Sequence, residues 1–124
     1  MTHKEATHIH NIRQRLKIRR QRHKAALNQE IQRLAEKAAE LGVQRVILFG
    51  SAAWGDPGLG SDLDLLIIWD TPLDFLARTV ELYRCLQPRA PVDLLVYTPA
   101  EFTKMAHRPF IRNAIEKGVT LYEA

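Results

Sequence analysis

Residues Val46–Ile68, VILFGSAAWGDPGLGSDLDLLII, decide the fold. Val46-Ile47-Leu48-Phe49 is a short run of β-branched and aromatic residues, the signature of a buried strand. It stops at Gly50-Ser51, where small residues let a ligand approach the backbone. Ala52-Ala53-Trp54 can begin a helix, which would turn the Gly50, Ser51 and Ala52 amides outward as an anion site. Residues Gly55–Ser61 are dense in turn formers. A second strand is expected next, opening with Asp62-Leu63-Asp64 and continuing through Leu65–Ile68.

Strand side chains alternate sides, so Asp62 and Asp64 share one face and Leu63 takes the other. Two close carboxylates repel, and one pKa rises unless a cation lies between them. A set of hard oxygen donors suits Mg²⁺, which takes one or two carboxylates together with substrate phosphates. The pair alone is equally compatible with a solvated strand end.

The 124 residues suffice for one domain with a real core. No apolar run approaches the roughly 18–20 residues that span a bilayer, and no signal peptide is visible. The single cysteine, Cys85, cannot form an internal disulfide, which fits a reducing cytoplasm. The net charge of +4 conceals a split. Residues 1–25 carry eight Lys and Arg against one acid, a charge of +7, and the remainder carries −3.

Residues 1–8 read as loosely ordered. From about Ile9 to Leu41 no Pro or Gly interrupts a helical composition. Leu27, Ile31, Leu34, Ala38 and Leu41 form an apolar stripe, and Gly42 is placed to end the helix. Followed backwards, that stripe meets His23 and Arg19/Arg20 before Leu16, Ile12 and Ile9, so the first half is expected outside the core, as a projecting helix or arm. Its basic run is either a solvated face or a contact surface for an acidic protein or a nucleic acid. It lacks the aromatics of a single-strand stacking platform. His3, His8, His10 and His23 crowd this region, but nothing in the sequence fixes a metal geometry for them.

Further on, Thr71-Pro72-Leu73-Asp74 predicts a helix start with Thr71 as N-cap, Pro72 at N1 and Asp74 at N3. Two apolar stripes, Leu73/Leu76/Val80/Tyr83/Leu86 and Phe75/Leu82/Leu86, predict a broad buried face, with Cys85 as packed core. Val92–Tyr97 reads as a third strand with one interior charge, Asp93. A carboxylate there is either at the exposed strand end or joins Asp62 and Asp64 at one metal site, and the latter is expected. Thr98-Pro99-Ala100-Glu101 is a capping box with Pro at N1, opening a helix to about Ala106. Phe110–Lys117 forms a last helix with Phe110, Ile111, Ala114 and Ile115 available to pack, Gly118 caps it, and Val119–Tyr122 is a short edge strand. His107 is expected at the surface or at a helix end.

Gly50-Ser51, ten residues, Asp62-x-Asp64 and a later strand Asp93 together resemble the DNA polymerase beta-like nucleotidyltransferase superfamily, in particular its minimal nucleotidyltransferase (MNT) branch. The likeness covers about residues 27–123, including VDLLVYTP and the FIRNAI…GVTLY ending. It implies an α/β fold, a small mixed sheet of three to four strands flanked by helices, with a long N-terminal helix. It divides the chain into a basic arm, 1–25, and a nucleotidyltransferase domain, 26–124. Two Mg²⁺ ions would be held by Asp62, Asp64 and Asp93, with Asp93 nearest the attacking hydroxyl and suited to take its proton. Gly50 and Ser51 would hold the β- and γ-phosphates of an NTP such as ATP. The chain departs from the family pattern at Ala52 and Trp54, where arginines commonly follow the Gly-Ser pair.

Small MNT proteins resemble the antitoxins of HEPN–MNT toxin–antitoxin pairs, some of which transfer AMP to a tyrosine of the toxin, an RNase. Three functions follow as expectations. One is a Mg²⁺-dependent adenylyltransferase acting on a partner protein, the HEPN toxin, which itself completes the site. The second is an antitoxin that masks its toxin by contact, with little or no catalysis. The third is a nucleic-acid-binding regulator acting through residues 9–24. Assembly with itself or with a partner stays open.

Overall fold

The computed structural model describes residues 3–54 and 62–124, with only the backbone for residues 3–10 and Trp54. The elements are α1 (His3–Glu40), β1 (Arg45–Phe49), a single 3-10 turn (Ser51–Trp54), β2 (Leu63–Ile68), α2 (Phe75–Leu86), β3 (Val92–Tyr97), α3 (Pro99–Met105), α4 (Pro109–Lys117) and β4 (Val119–Glu123). The four strands lie in the order β3-β2-β1-β4. β1 is antiparallel to β2 and to β4, and β2 is parallel to β3. The expected mixed α/β sheet is therefore present, with the short last strand at an edge.

Alternation sorts the sheet into two faces. Val46, Leu48, Leu63, Leu65, Ile67, Val92, Leu94 and Val96 join Leu27, Leu34 and Ala38 of α1 and Leu82 and Leu86 of α2 in the main core. The opposite face carries Ile47, Leu66 and Ile68, all buried, and α4 contributes buried Ile111 and Ala114. That second face ends, at one end of the sheet, in Phe49, Asp64 and Asp93.

α1 starts at His3, earlier than the loosely ordered start expected, because nothing from there to Glu40 breaks a helix. Residues 11–22 are exposed throughout, so the first half does project, and packing begins at half-buried His23 and buried Leu27. Leu41 is 36% exposed and drops out of the stripe. The helix ends in a Schellman motif: Gly42 sits at φ +86°, its N–H donates to Ala39 O (3.0 Å), and Val43 N–H donates to Ala38 O (3.3 Å).

α2 departs most from expectation. Its N-cap is Asp74, whose carboxylate accepts from Ala77 N at 2.8 Å, and not Thr71. Thr71 Oγ1 instead accepts from Leu73 N within the preceding turn (3.3 Å). The buried stripe is Arg78, Leu82 and Leu86, whereas Phe75, Leu76 and Val80 are exposed. Cys85 is half-buried beside Glu81, not packed in the core. Arg78 is tolerated inside because its guanidinium is bonded to backbone and to a carboxylate: Nε donates to Leu73 O (3.1 Å), and Nη1 to Val96 O (3.4 Å) and to the Glu101 carboxylate. The Tyr83 hydroxyl donates to Val92 O (2.7 Å) and accepts from Leu94 N (3.2 Å), which satisfies two polar groups on the free edge of β3.

A second polar clasp fastens α1. Glu30, buried, pairs with Arg33 (2.6 Å) and accepts from Arg89 N, while Arg33 donates to Leu86 O and Gln87 O (both 3.1 Å). The capping box at Thr98/Glu101 forms as expected. Gly118 does close α4, but in extended backbone. Its requirement is space: a Cβ there would strike Ala114 O and come within 2.8 Å of both Ile47 Cγ2 and Leu48 O.

Candidate active site

The sheet register brings the candidate acids together. Phe49 of β1 stands opposite Asp64 of β2, and Asp64 stands opposite Asp93 of β3. Neighbours across a sheet point the same way, so all three side chains project from the face that α4 covers. Asp62 lies just before β2, which opens at Leu63 and not at the acids as expected, and it is exposed. Asp93 is exposed near the start of the edge strand, and Asp64 is half-buried between its neighbours.

The electrostatics follow from this placement. Burial pushes the Asp64 carboxyl above its ordinary value, and the negative charges of Asp93 and Asp62 push it the same way. A cation at this point would relieve all three causes. Among the described residues, no three carboxyl, imidazole or thiol groups are gathered into a ready-made metal cage. The donor set nevertheless consists of hard carboxylate oxygens, which suits Mg²⁺ completed by substrate phosphates.

Gly50 sets how close the chain approaches this carboxylate. It adopts φ +72°, and a Cβ there would collide with Asp64 Oδ2, with Asp64 Cγ 3.3 Å away. Only glycine satisfies both conditions. The expected helix start after it is a single 3-10 turn, in which Ala53 N–H donates to Gly50 O (3.1 Å). Ala52 and Ala53 pack against the main core. The Trp54 side chain and the loop 55–61 lie outside the described residues.

A cleft of about 490 Å³ opens beside the acids. Phe49, Gly50, Asp64 and Asp93 form one wall, and Phe110, Asn113 and Lys117 of α4 form the other. The Phe110 ring meets Phe49 edge-on, centroids 5.8 Å apart, yet Phe110 is 61% exposed. The sequence points to Phe110 as a packing residue and does not single out Asn113 or Lys117. The available signal was their spacing with Ala114, i, i+3, i+4, i+7, which puts one face of α4 toward the acids.

Paired strand acids beside a Gly-Ser turn on a mixed sheet define a polymerase beta-like nucleotidyltransferase palm. The chain belongs to the nucleotidyltransferase domain family, whose model matches residues 31–122. It is 32% identical over 80 residues to a Methanocaldococcus jannaschii protein named "Putative protein adenylyltransferase MJ0604", covering 64% of this chain and 79% of that one. It is also similar to a chain in a crystal structure of a mutant of the toxin–antitoxin MntA–HpeT, with a TM-score of 0.51 and 25% identity over 71% of this chain and 68% of that one. No helix among the described residues is long and apolar enough to cross a membrane.

Proposed function

We propose that this chain transfers AMP from ATP to a hydroxyl on a partner protein, and that the partner is the toxin of a toxin–antitoxin pair, of HEPN type. The observation that carries the reading is the Asp64–Asp93 pair, in register beside Gly50 at the mouth of an open cleft, within a nucleotidyltransferase family. The name of the M. jannaschii relative supports a protein acceptor, and the MntA–HpeT likeness supports a toxin as that protein.

Asp62, Asp64 and Asp93 would hold Mg²⁺, two ions in the family's scheme, and the metal supplies charge neutralisation at the triphosphate and a more acidic attacking hydroxyl. Gly50 keeps the backbone flush with Asp64, so phosphates can lie close to it, and Gly50 and Ser51 hold the β- and γ-phosphates. Asp93, exposed on the edge strand, faces the side from which an acceptor arrives. The acceptor oxygen bonds to the α-phosphorus, the α–β bridging P–O bond breaks, and pyrophosphate leaves. The hydroxyl proton passes to the Asp93 carboxylate.

A second reading, an antitoxin that acts by contact alone, draws on Ala52. It packs against the core where the family pattern places an arginine, so it offers no charge to a triphosphate. Intact-mass spectrometry of the neighbouring gene's product, after incubation with this protein, ATP and Mg²⁺, separates the two. Transfer predicts a mass gain of one AMP per modified site, abolished by Asp64→Asn. A stable complex with unmodified partner would favour contact alone.

A further inference from the structure

Residues 11–25 hold seven Lys and Arg and no acid, and residues 11–22 of the projecting helix are exposed. An α-helix turns about 100° per residue, so positions three and four apart share a face. Ile12 and Leu16, 42% and 45% exposed, fall on the face that continues through His23 to buried Leu27. They extend the core seam beyond the body. Arg13, Lys17, Arg20 and Lys24 follow one flank of this seam at steps of 4, 3 and 4. Arg15, Arg19 and Arg22 follow the other at steps of 4 and 3. The far side is uncharged: Asn11, Gln14, Ile18 and Gln21.

We propose that this segment docks an acidic amphipathic helix of a partner protein. The partner's apolar stripe would pack on Ile12 and Leu16, and its flanking carboxylates would face the two basic rails, as in a charge-matched coiled-coil pair. Charge complementarity selects this occupant. A second copy of the same helix would set rail against rail, and each rail already repels itself at i, i+3 and i, i+4. Nucleic-acid phosphates would meet the rails but leave the seam without apolar contact. A bilayer would need a broader apolar face than two large side chains provide. The inference goes beyond the nucleotidyl-transfer reading and uses none of its residues.

The test titrates the full chain by fluorescence anisotropy against three probes. These are a heptad peptide with Leu at a and d and Glu at e and g, a mixed-sequence DNA duplex, and phosphatidylserine-containing vesicles. The peptide is expected to bind tightest. Ile12→Gln/Leu16→Gln and Arg15→Glu/Arg19→Glu should each weaken it at least tenfold while circular dichroism stays helical. A peptide with Lys in place of Glu on one flank should recover binding to the Arg15→Glu/Arg19→Glu variant, which separates a lost contact from a damaged helix. Absence of peptide binding, or peptide affinity indifferent to the seam variant, overturns the proposal. So does tighter binding to DNA or vesicles, which would assign the rails to phosphates.

Discussion

Gly50 and Asp64 are built against each other. The glycine's left-handed backbone and the carboxylate oxygen occupy the space a Cβ would need. Gly50→Ala therefore carries two penalties, a backbone cost of about 1–2 kcal/mol and a collision that displaces the acid. A displacement of about 1 Å at a reacting centre can cost about 10²-fold, so kcat/KM for transfer should fall by about that factor while the chain still folds. Asp64 carries the opposite strain. Its carboxyl is raised by burial first, then by Asp93 and Asp62. A carboxyl raised in the folded state is protonated more readily there than in the unfolded chain. Its ionisation therefore costs stability as pH rises above the ordinary 3.8, and the cost persists at neutral pH. In metal-free protein, carbon-detected NMR titration should find Asp64 above that value, and Asp93→Asn should bring it down. Asp64→Asn should raise Tm at pH 7 while removing transfer, as expected where a site holds strain for function.

At the scale of elements, polar clasps hold the helices on the sheet. Arg33 beside Glu30 holds the Glu30 carboxyl below its ordinary value against the opposing effect of burial, and the Arg89 amide adds to it. A depressed carboxyl contributes stability above its unfolded value and loses it as pH falls through the folded one. The clasp is thus fully present at neutral pH and weakens below about 4.5. Glu30→Gln should lower unfolding free energy by about 2 kcal/mol at pH 7, and the difference from the parent should shrink as denaturant melts are repeated toward pH 3. These clasps explain what the sequence hid. Arg78 occupies the inward stripe of α2 with Leu82 and Leu86, so the apolar pattern pointed to Leu76 and Val80, which face solvent. Glu30 interrupts the α1 stripe for the same reason. The partners that make these charges tolerable inside are partly distant in sequence: Glu101 for Arg78, and the Arg89 amide for Glu30, whose near partner Arg33 itself reaches Leu86 O and Gln87 O.

For the whole molecule, the strands are readable from strand-length apolar runs and their punctuation and the small mixed sheet from the family resemblance, whereas the register that sets Asp64 beside Asp93 emerges only in the folded sheet. The Thr71 cap was misassigned because Asp74 competes with it three residues later and wins through its bond to Ala77. The α4 wall of the cleft was not readable, since packing against the sheet, not periodicity alone, decides which face of α4 meets the acids. The resulting architecture places an open, acid-lined cleft at one end of the sheet and a basic helix projecting from the other layer.

Nucleotidyl transfer by the Asp64–Asp93 site can be followed through the position of a radiolabel. ATP labelled at the α-phosphate and, separately, at the γ-phosphate is incubated with the protein, Mg²⁺ and the partner, and the partner is then isolated under denaturing conditions. Label is expected on the partner from α-labelled ATP alone, and Asp93→Asn should remove it. Label from the γ-position, or none from the α-position in a reaction where the two proteins form a complex, would contradict it.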